Sequence, residues 1–192
     1  MNKYRFILAS GSPRRKELLE QVGINFTVVK SDADENVSEK NPKVLVKKLA
    51  LLKAMEVYQK KGKRLKNPIV IGADTIVSVD GEILGKPKDE DEAFDMIERI
   101  AGRSHEVYTG VALVGHEKTI VFAVKTKVYV YPMTKEQILE YIKTGEPMDK
   151  AGAYGIQGRF AAYIKKIDGD YNNVVGLPVG KLCKVLRGWD NE

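Results

Sequence analysis

The stretch Phe6–Leu19 constrains the fold most, because it predicts a strand that leads through a tight turn directly into a helix. Phe6-Ile7-Leu8 is apolar, and Ser12 followed by Pro13 is typical of a helix N-cap and first turn. Apolar side chains then recur at helical spacing. A strand that feeds straight into a helix is typical of α/β proteins.

The predicted helix start is also a candidate anion site. Its free N–H groups carry about half a positive charge, and Arg14, Arg15 and Lys16 add three full charges. Gly11 allows a close backbone approach, and arginine forks match phosphate oxygens. Two interpretations stay open at this point: a phosphate pocket, or an ordinary helix start with solvated arginines.

The composition limits the function classes. With 192 residues, 43% of them hydrophobic, the chain can form one domain or two closely packed lobes. Its apolar runs are too short to span a bilayer and no signal-peptide pattern is present, so we expect a cytoplasmic protein. The single cysteine, Cys183, predicts a small buried hydrophobe in a helix. The net charge of +6 favours an anionic partner, without separating a nucleotide from a nucleic acid.

Periodicity and turn signals predict α/β organisation along the whole chain. Leu45, Leu49 and Leu52 define the expected buried side of one helix, and Asp80-Gly81 predicts a hairpin turn. After the first strand and helix, the expected elements are a strand at Phe26–Val29, a helix at Pro42–Lys61, a central strand at Asn67–Val79, a helix from Asp89 to Gly102, strands at Ser104–Val114 and Thr119–Tyr131, a helix at Thr134–Lys143, a strand at Ala161–Ile167, a turn at Gly169–Asn173 and a helix at Pro178–Leu186.

Two groups of acids are candidates for chemistry. Asp34 or Glu35, in a loop with three acids within four residues, is either a divalent-metal ligand or part of a polar turn. Asp74 lies inside an apolar strand, where an unpaired carboxylate costs several kcal/mol. We favour a metal or general-base role for Asp74 over a structural salt bridge, since Gly72 and Ala73 leave room beside it.

Three further polar residues complete the set. Lys53 shares a helix stripe with apolar residues, so its ammonium either reaches the rim of the helix or meets an anion in a cleft. Lys86 follows the hairpin. Gln157 lies in a glycine-rich loop, where its amide can read a base edge and the flanking glycines permit close approach of a ligand. His105 is interpreted as a satisfied hydrogen-bonding residue. Cations with a few acids suit a metal–polyphosphate complex attacked by water.

Six segments in order resemble the Maf family of nucleoside triphosphate pyrophosphatases, first associated with septum formation. The resemblance covers essentially the whole chain and implies a single domain over residues 1–192: a long mixed sheet flanked by helices, with two lobes and a central cleft, similar to the inosine triphosphatase architecture. The segments are Ala9–Arg15, Gly72–Thr75, Gly85–Pro87, Gly102–Gly110, Ala153–Gly158 and Asn173–Pro178.

The resemblance implies hydrolysis between the α and β phosphates, giving a nucleoside monophosphate and pyrophosphate, with Mg²⁺ or alternatively Mn²⁺ or Co²⁺. Asp74 resembles the proton acceptor, near the metal, and Glu35 resembles the second acid of the metal site. The residues that resemble phosphate ligands are Ser12, Arg15, Lys53 and Lys86.

Three positions mark subfamilies within the family, and here they are Arg14, Thr75 and Gln157. The combination is similar to the branch that hydrolyses dTTP and UTP, as opposed to the branch acting on 7-methyl-GTP. Arg and Gln can donate hydrogen bonds to the carbonyls of a uracil-like edge, and such a site rejects a base that leaves those donors unpaired.

The resemblance also implies a homodimer, no stable nucleic-acid partner, no membrane association, and roles in nucleotide-pool cleaning and cell-division arrest. Two alternatives stay open. A regulatory nucleic-acid-binding protein would explain the charge, although the acids around Glu35 would repel a phosphate backbone. An inosine or xanthosine triphosphatase on a similar fold would differ in base preference alone.

Overall fold

The computed structural model describes residues 3–190, and its elements confirm the predicted α/β class. Short 3₁₀ helices lie at Gly62–Arg64, Glu146–Asp149, Ala151–Ala153 and Arg159–Tyr163. The strands and longer helices, in chain order, are β1 (Arg5–Leu8), α1 (Pro13–Gln21), β2 (Phe26–Val28), α2 (Pro42–Lys60), β3 (Pro68–Val79), β4 (Glu82–Leu84), α3 (Glu90–Ile100), β5 (Ser104–Val114), β6 (Thr119–Val130), α4 (Lys135–Ile142), β7 (Ile164–Asp168), α5 (Tyr171–Val175) and α6 (Val179–Arg187).

Seven strands among the described residues form one sheet with the order β2-β1-β3-β5-β6-β7, and β4 pairs with β3. Strand β1 is parallel to β2 and to β3, whereas β4 and β7 are antiparallel to β3 and β6. The sheet is therefore mixed, as expected. By its contacts the chain divides into two compact units: the first holds the residues up to Asp74, residues 109–124 and those from Gly176, and the second holds the rest. A single domain of two lobes stays a prediction.

In the first unit, α2 lies with its backbone directly on the sheet. A Cβ at Gly72 of β3 would stand 2.2 Å from the carbonyl oxygen of Ala50, and one at Gly110 of β5 would stand 2.1 Å from that of Val46. Such close packing admits only small side chains at the contact, and Ala50 and Ala54 are fully buried there. The predicted leucine face is therefore wrong at Leu52, whose exposed fraction is 40%.

In the second unit, the local signals for turns and caps mostly hold. Asp80 and Gly81 have φ values of 51° and 82° in the β3–β4 hairpin, and Thr134 forms a complete capping box at α4. At α3 only half of a capping box forms. The Asp89 carboxylate accepts from the N–H of Glu92, but the Glu92 carboxylate accepts from the N–H of Lys88 and not from that of Asp89.

Two predicted elements near the C-terminus are wrong in their bounds. The strand expected from Ala161 begins at Ile164, because residues 159–163 form a 3₁₀ helix that buries Phe160 against the rings of Tyr141, Tyr154 and Tyr163 at 4.9–5.6 Å between centroids. The turn expected after Gly169 contains the short helix α5, whose first N–H groups donate to the Asp170 carboxylate at 2.8 and 3.2 Å. Aromatic packing and a local cap outweigh the strand and turn patterns.

The burial of Cys183 differs from the prediction. Cys183 is half-buried, with its thiol free, so the expectation of a fully buried side chain is wrong. It lies on α6, at the border between the buried Leu182 and the exposed side of the helix.

None of the helices within residues 3–190 has the length and apolar character needed to cross a bilayer.

His105 is fully buried in the second unit, and only one of its ring nitrogens is satisfied. Its Nε2 lies 2.7 Å from the hydroxyl of Tyr154, while Nδ1 has no hydrogen-bond partner among the described residues. Burial lowers the pKa of His105 from 6.5 to about 4. The imidazole is therefore neutral at pH 7, and the interpretation of a fully satisfied residue is wrong at Nδ1.

We expect His105 to make the protein less stable in mild acid. Because the folded pKa is lower than the unfolded one, the unfolded chain binds the proton first, so the stabilising contribution is complete above about pH 6.5 and is lost as the pH falls toward 4. Between about pH 7 and pH 5 this loss amounts to about 2 kcal/mol. Urea unfolding at several pH values should show a smaller pH slope in His105→Gln than in the wild type. His116→Gln, at the exposed second histidine, should keep the wild-type slope, and equal slopes in all three proteins would contradict the assignment.

Candidate active site

The β1–α1 turn is organised by Ser10, a buried residue that the sequence analysis did not single out. Its Oγ accepts hydrogen bonds from the N–H of Ser12 at 3.2 Å and from Nη1 of Arg15 at 3.1 Å. Nε of Arg15 donates to the carbonyl of Gly176 at 2.9 Å. Both ends of the Arg15 guanidinium are thus tied to neighbouring segments of the first unit, so that it has a defined orientation. A serine two residues before an N-cap was the only available signal for this role.

Ser12 occupies the N-cap position of α1 in an extended conformation, but its side chain makes no capping hydrogen bond within the described chain. The predicted helix start is therefore correct, and the expected cap is wrong. Pro13 at the first helical position already removes one N–H that a cap would satisfy. The turn is closed instead through Ser10, and the first N–H groups of α1 are compatible with an anion.

A triad of Glu35, Lys53 and Asp74 forms in the first unit. Nζ of Lys53 lies 2.7 Å from Oδ1 of Asp74 and 2.9 Å from Oε2 of Glu35. The side chains of Lys53 and Asp74 are only 13% and 12% exposed, whereas that of Glu35 is 56% exposed. The Lys53 ammonium therefore joins the buried carboxylate of Asp74 on β3 to the exposed carboxylate of Glu35 in the loop after β2. The three residues are far apart in sequence. The ammonium meets two carboxylates and is mostly buried, while its place in a ligand cleft stays a prediction.

The triad and the α1 turn share one electrostatic environment. Burial lowers the pKa of Arg15 below its ordinary value, and the positive charge of Arg14 acts in the same direction. The negative charges of Asp74 and Glu35 act in the opposite direction and favour the charged guanidinium. The charges of Asp74 and Glu35 therefore act on the Arg15 guanidinium. Six of the predicted site residues lie in the first unit: Ser12, Arg14, Arg15, Glu35, Lys53 and Asp74.

The two carboxylates of the triad fit a divalent cation of the Mg²⁺ type. Mg²⁺ is commonly bound by one or two carboxylates together with substrate phosphates, and it prefers oxygen ligands. Within residues 3–190 no group of three or more His, Cys, Asp or Glu side chains could hold a metal by itself. Asp74 and Glu35 are the carboxylates of this unit that could hold such an ion, and the metal stays a prediction. Asp34 accepts instead from the N–H of Asn36 at 2.9 Å, in a local turn.

The remaining predicted site residues belong to the second unit. Thr75 is half-buried directly after Asp74 on β3, Lys86 is exposed in the loop after β4, and Gln157 is exposed between Gly155 and Gly158. The two glycines pack against side chains of the same unit on the side where a Cβ would stand, and the close approach of a ligand stays a prediction. The position of a Cβ at Gly158 is filled by the Glu146 carboxylate, and that at Gly155 by the stem of Lys150. The substrate contacts of Thr75, Lys86 and Gln157 stay predictions.

Comparison with known proteins agrees with the motif resemblance. The family described as Maf-like protein matches residues 5–189. A dTTP/UTP pyrophosphatase from Symbiobacterium thermophilum is 55% identical over 183 residues, 95% of this chain and 92% of that protein. One from Bacillus cytotoxicus is 50% identical over 188 residues, 97% and 96% of the two chains.

A more distant likeness is to the crystal structure of a nucleoside-triphosphatase / dITP/XTP pyrophosphatase from Mycobacterium abscessus. It covers 96% of this chain and 95% of that one, with 17% identity and a TM-score of 0.46. The family match covers nearly the whole chain, and two relatives are 50% and 55% identical to it over almost their full length. This chain therefore belongs to the Maf family.

Proposed function

We propose that this chain is a nucleoside triphosphate pyrophosphatase, a nucleotide diphosphatase that hydrolyses dTTP and UTP to the nucleoside monophosphate and pyrophosphate. The names of the relatives at 50% and 55% identity support the substrates. The contact that carries the proposal is the 2.7 Å ion pair between Lys53 and Asp74. It holds a carboxylate in an apolar strand, within the electrostatic reach of the Arg15 guanidinium.

In the proposed reaction a water oxygen attacks the α-phosphorus. A new P–O bond forms, the bond from the α-phosphorus to the bridging oxygen breaks, and its electron pair leaves with pyrophosphate. The Asp74 carboxylate accepts the proton of the water. The ion pair with Lys53 orients Asp74 for this task, because its ammonium is itself mostly buried and hydrogen-bonded.

The positive groups of the first unit are proposed to bind the phosphates, and the resemblance adds Lys86 as a phosphate ligand. Arg15 and the N-terminal N–H groups of α1 offer directed donors, and Arg15 is preorganised by Ser10 and Gly176. Lys53 and Ser12 contribute an ammonium and a hydroxyl. A divalent cation held by Asp74 and Glu35 would supply charge that neutralises the phosphate oxygens.

The direct test is a substrate panel. Purified protein with Mg²⁺ is incubated with dTTP, UTP, CTP, GTP, ITP and 7-methyl-GTP, and pyrophosphate and monophosphate are both quantified. Turnover of dTTP and UTP to equal amounts of the two products supports the proposal. Turnover of ITP or 7-methyl-GTP alone would contradict the assigned base preference. Salt-dependent DNA binding without any turnover would favour the nucleic-acid-binding alternative.

Gln157 is proposed to donate to a carbonyl of the pyrimidine, together with Arg14 and Thr75 as the other specificity positions. We expect Gln157→Ala to lower kcat/KM for dTTP and UTP by about 10²-fold, since a site built on hydrogen bonds loses most when one is removed. The melting temperature should stay unchanged because the side chain is exposed. Gln59→Ala, an exposed glutamine of α2, is the matched control, and equal kcat/KM values in both variants would exclude Gln157 from the site.

The remaining proposals come from the sequence. The resemblance supports a homodimer, turnover of modified pyrimidine triphosphates, and a role in nucleotide-pool cleaning and cell-division arrest, whereas the length of the apolar runs supports a cytoplasmic location. Sedimentation of the purified protein tests the dimer. Expression of an inactive variant in dividing cells tests whether arrest depends on catalysis.

A further inference from the structure

Glu146 stands at the centre of a hydrogen-bond network around the loop that carries Gln157. Its Oε1 accepts from the hydroxyl of Tyr141 at 2.9 Å, and its Oε2 accepts from the backbone N–H of Arg159 at 2.9 Å. The same Tyr141 hydroxyl accepts from the backbone N–H of Gly155 at 3.2 Å. The pair Glu146–Tyr141 therefore bonds to the backbone at both ends of the segment 155–159.

The two glycines of this segment complete the fit. The carboxylate oxygens of Glu146 would lie 2.2 and 2.3 Å from a Cβ at Gly158, and Cε of Lys150 would lie 2.7 Å from one at Gly155. The Lys150 ammonium in turn donates to the carbonyl of Glu146 at 2.7 Å. A side chain at either position would have to displace the end of the Glu146 or the Lys150 side chain.

The network holds a segment whose exposed side chains are those of Gln157 and Arg159. Ile156 is buried and anchors the segment, and the next residue, Gln157, is exposed. Tyr141 is also buried, and burial together with Glu146 raises the pKa of its hydroxyl, so it stays a donor to the carboxylate. A loop tied at both ends and anchored in its middle has few ways to place its one exposed amide.

We propose that Glu146 is a positioning residue for base selection: through Tyr141 and the backbone N–H groups of Gly155 and Arg159 it sets the direction of Gln157. This rests on the proposed function, since the consequence is the choice among nucleotide bases. Glu146 does not touch the substrate. It acts by limiting the conformations of the loop before the base binds, which reduces the entropy lost on binding.

The test compares Glu146→Ala, Glu146→Gln and a matched control, Glu140→Ala. Glu140 lies on α4 and lines the same surface depression of about 390 Å³ as Glu146, so its removal takes the same charge from the same place. The first measurement is amide hydrogen exchange of residues 155–159, which needs no substrate. We expect Glu146→Ala to exchange at least about tenfold faster there than the wild type, with Glu140→Ala unchanged.

The second measurement is the ratio of kcat/KM for UTP to that for GTP. Glu146→Ala should lower this ratio at least about tenfold, mainly through a higher KM for UTP. Glu146→Gln has one oxygen for two donors: if the oxygen accepts from the Arg159 N–H, its NH₂ faces the Tyr141 hydroxyl, whose proton then loses its acceptor. This variant should therefore restore only part of the protection and of the ratio. Faster exchange with an unchanged ratio would overturn the role in selection, and unchanged exchange in Glu146→Ala would overturn the positioning itself. An equal loss in Glu140→Ala would assign the effect to charge.

The two proposals can fail separately. If the wild type hydrolysed none of the triphosphates, the proposed function would be wrong. The ratio of the dissociation constants for UTP and GTP would then be measured for the wild type and the three variants. If Glu146→Ala left this ratio unchanged, the positioning role would be overturned as well.

Discussion

Asp74→Asn is expected to lower kcat for dTTP and UTP by at least about 10³-fold. Asparagine has the same shape as aspartate. Its oxygen can still accept a hydrogen bond from Lys53, whose Nζ lies 2.7 Å from Oδ1 of Asp74 in the wild type. It cannot take a proton from water, and it is a poorer ligand for a divalent cation. The loss should therefore fall on kcat, and it is measured as pyrophosphate release at saturating substrate.

The matched control is Asp80→Asn, the same substitution beyond the exposed end of the same strand. Asp80 pairs with Arg103 at 2.8 Å on the surface, and asparagine tolerates its φ of 51°. This variant should keep wild-type activity. Thermal unfolding of both variants tests the alternative that Asp74 forms only a structural salt bridge. In that case Asp74→Asn would lose activity only in proportion to the fraction of unfolded protein. A folded Asp74→Asn with more than about a tenth of the wild-type kcat would contradict the proton-acceptor role.

Gly110→Ala is expected to reduce the free energy of unfolding by about 3 kcal/mol or more. The new Cβ would lie 2.1 Å from the carbonyl oxygen of Val46 and 2.8 Å from the backbone nitrogen of Lys47. Both are main-chain atoms of α2, so no side chain can rotate away and the whole helix has to shift. Such a loss is a large share of the 5–15 kcal/mol that is typical of a domain. Urea unfolding measures it.

Gly180→Ala is the control for this prediction. Gly180 is exposed in the first turn of α6, and no described atom lies within 4 Å of a Cβ placed there. Its stability should lie within about 0.5 kcal/mol of the wild type or above it, because alanine is the better helix former. A Gly110→Ala protein within about 1 kcal/mol of the wild type would show that α2 can move at little cost. Since α2 carries Lys53, we also expect Gly110→Ala to lose activity before it unfolds.

Much of the local structure was predictable because its causes lie within a few residues. The turn at Asp80-Gly81 needs two residues that accept positive φ, and Thr134 with Gln137 forms its cap within a single helical turn. The placement of Asp74 in a buried strand follows from the apolar residues on both sides of it. These predictions needed no knowledge of what packs against the element.

The errors have the opposite origin. Leu52 is exposed because α2 contacts the sheet through alanines placed over Gly72 and Gly110, a fit between residues far apart in sequence. The contacts of Gly155 with Lys150 and of Gly158 with Glu146 likewise arise only from tertiary packing. Neither neighbour can be found from local spacing.

The sequence by itself determined the α/β class, the order and approximate bounds of most elements, and the residues that can carry charge or protons. Only the tertiary structure decided which of these meet: that Lys53 joins Asp74 and Glu35, that Ser10 and Gly176 orient Arg15, and that Glu146 brackets the loop of Gln157. The physical reason is range. Propensities, turns and caps act over three or four residues, whereas a hydrogen bond or an ion pair between distant segments exists only after the sheet and its helices have packed.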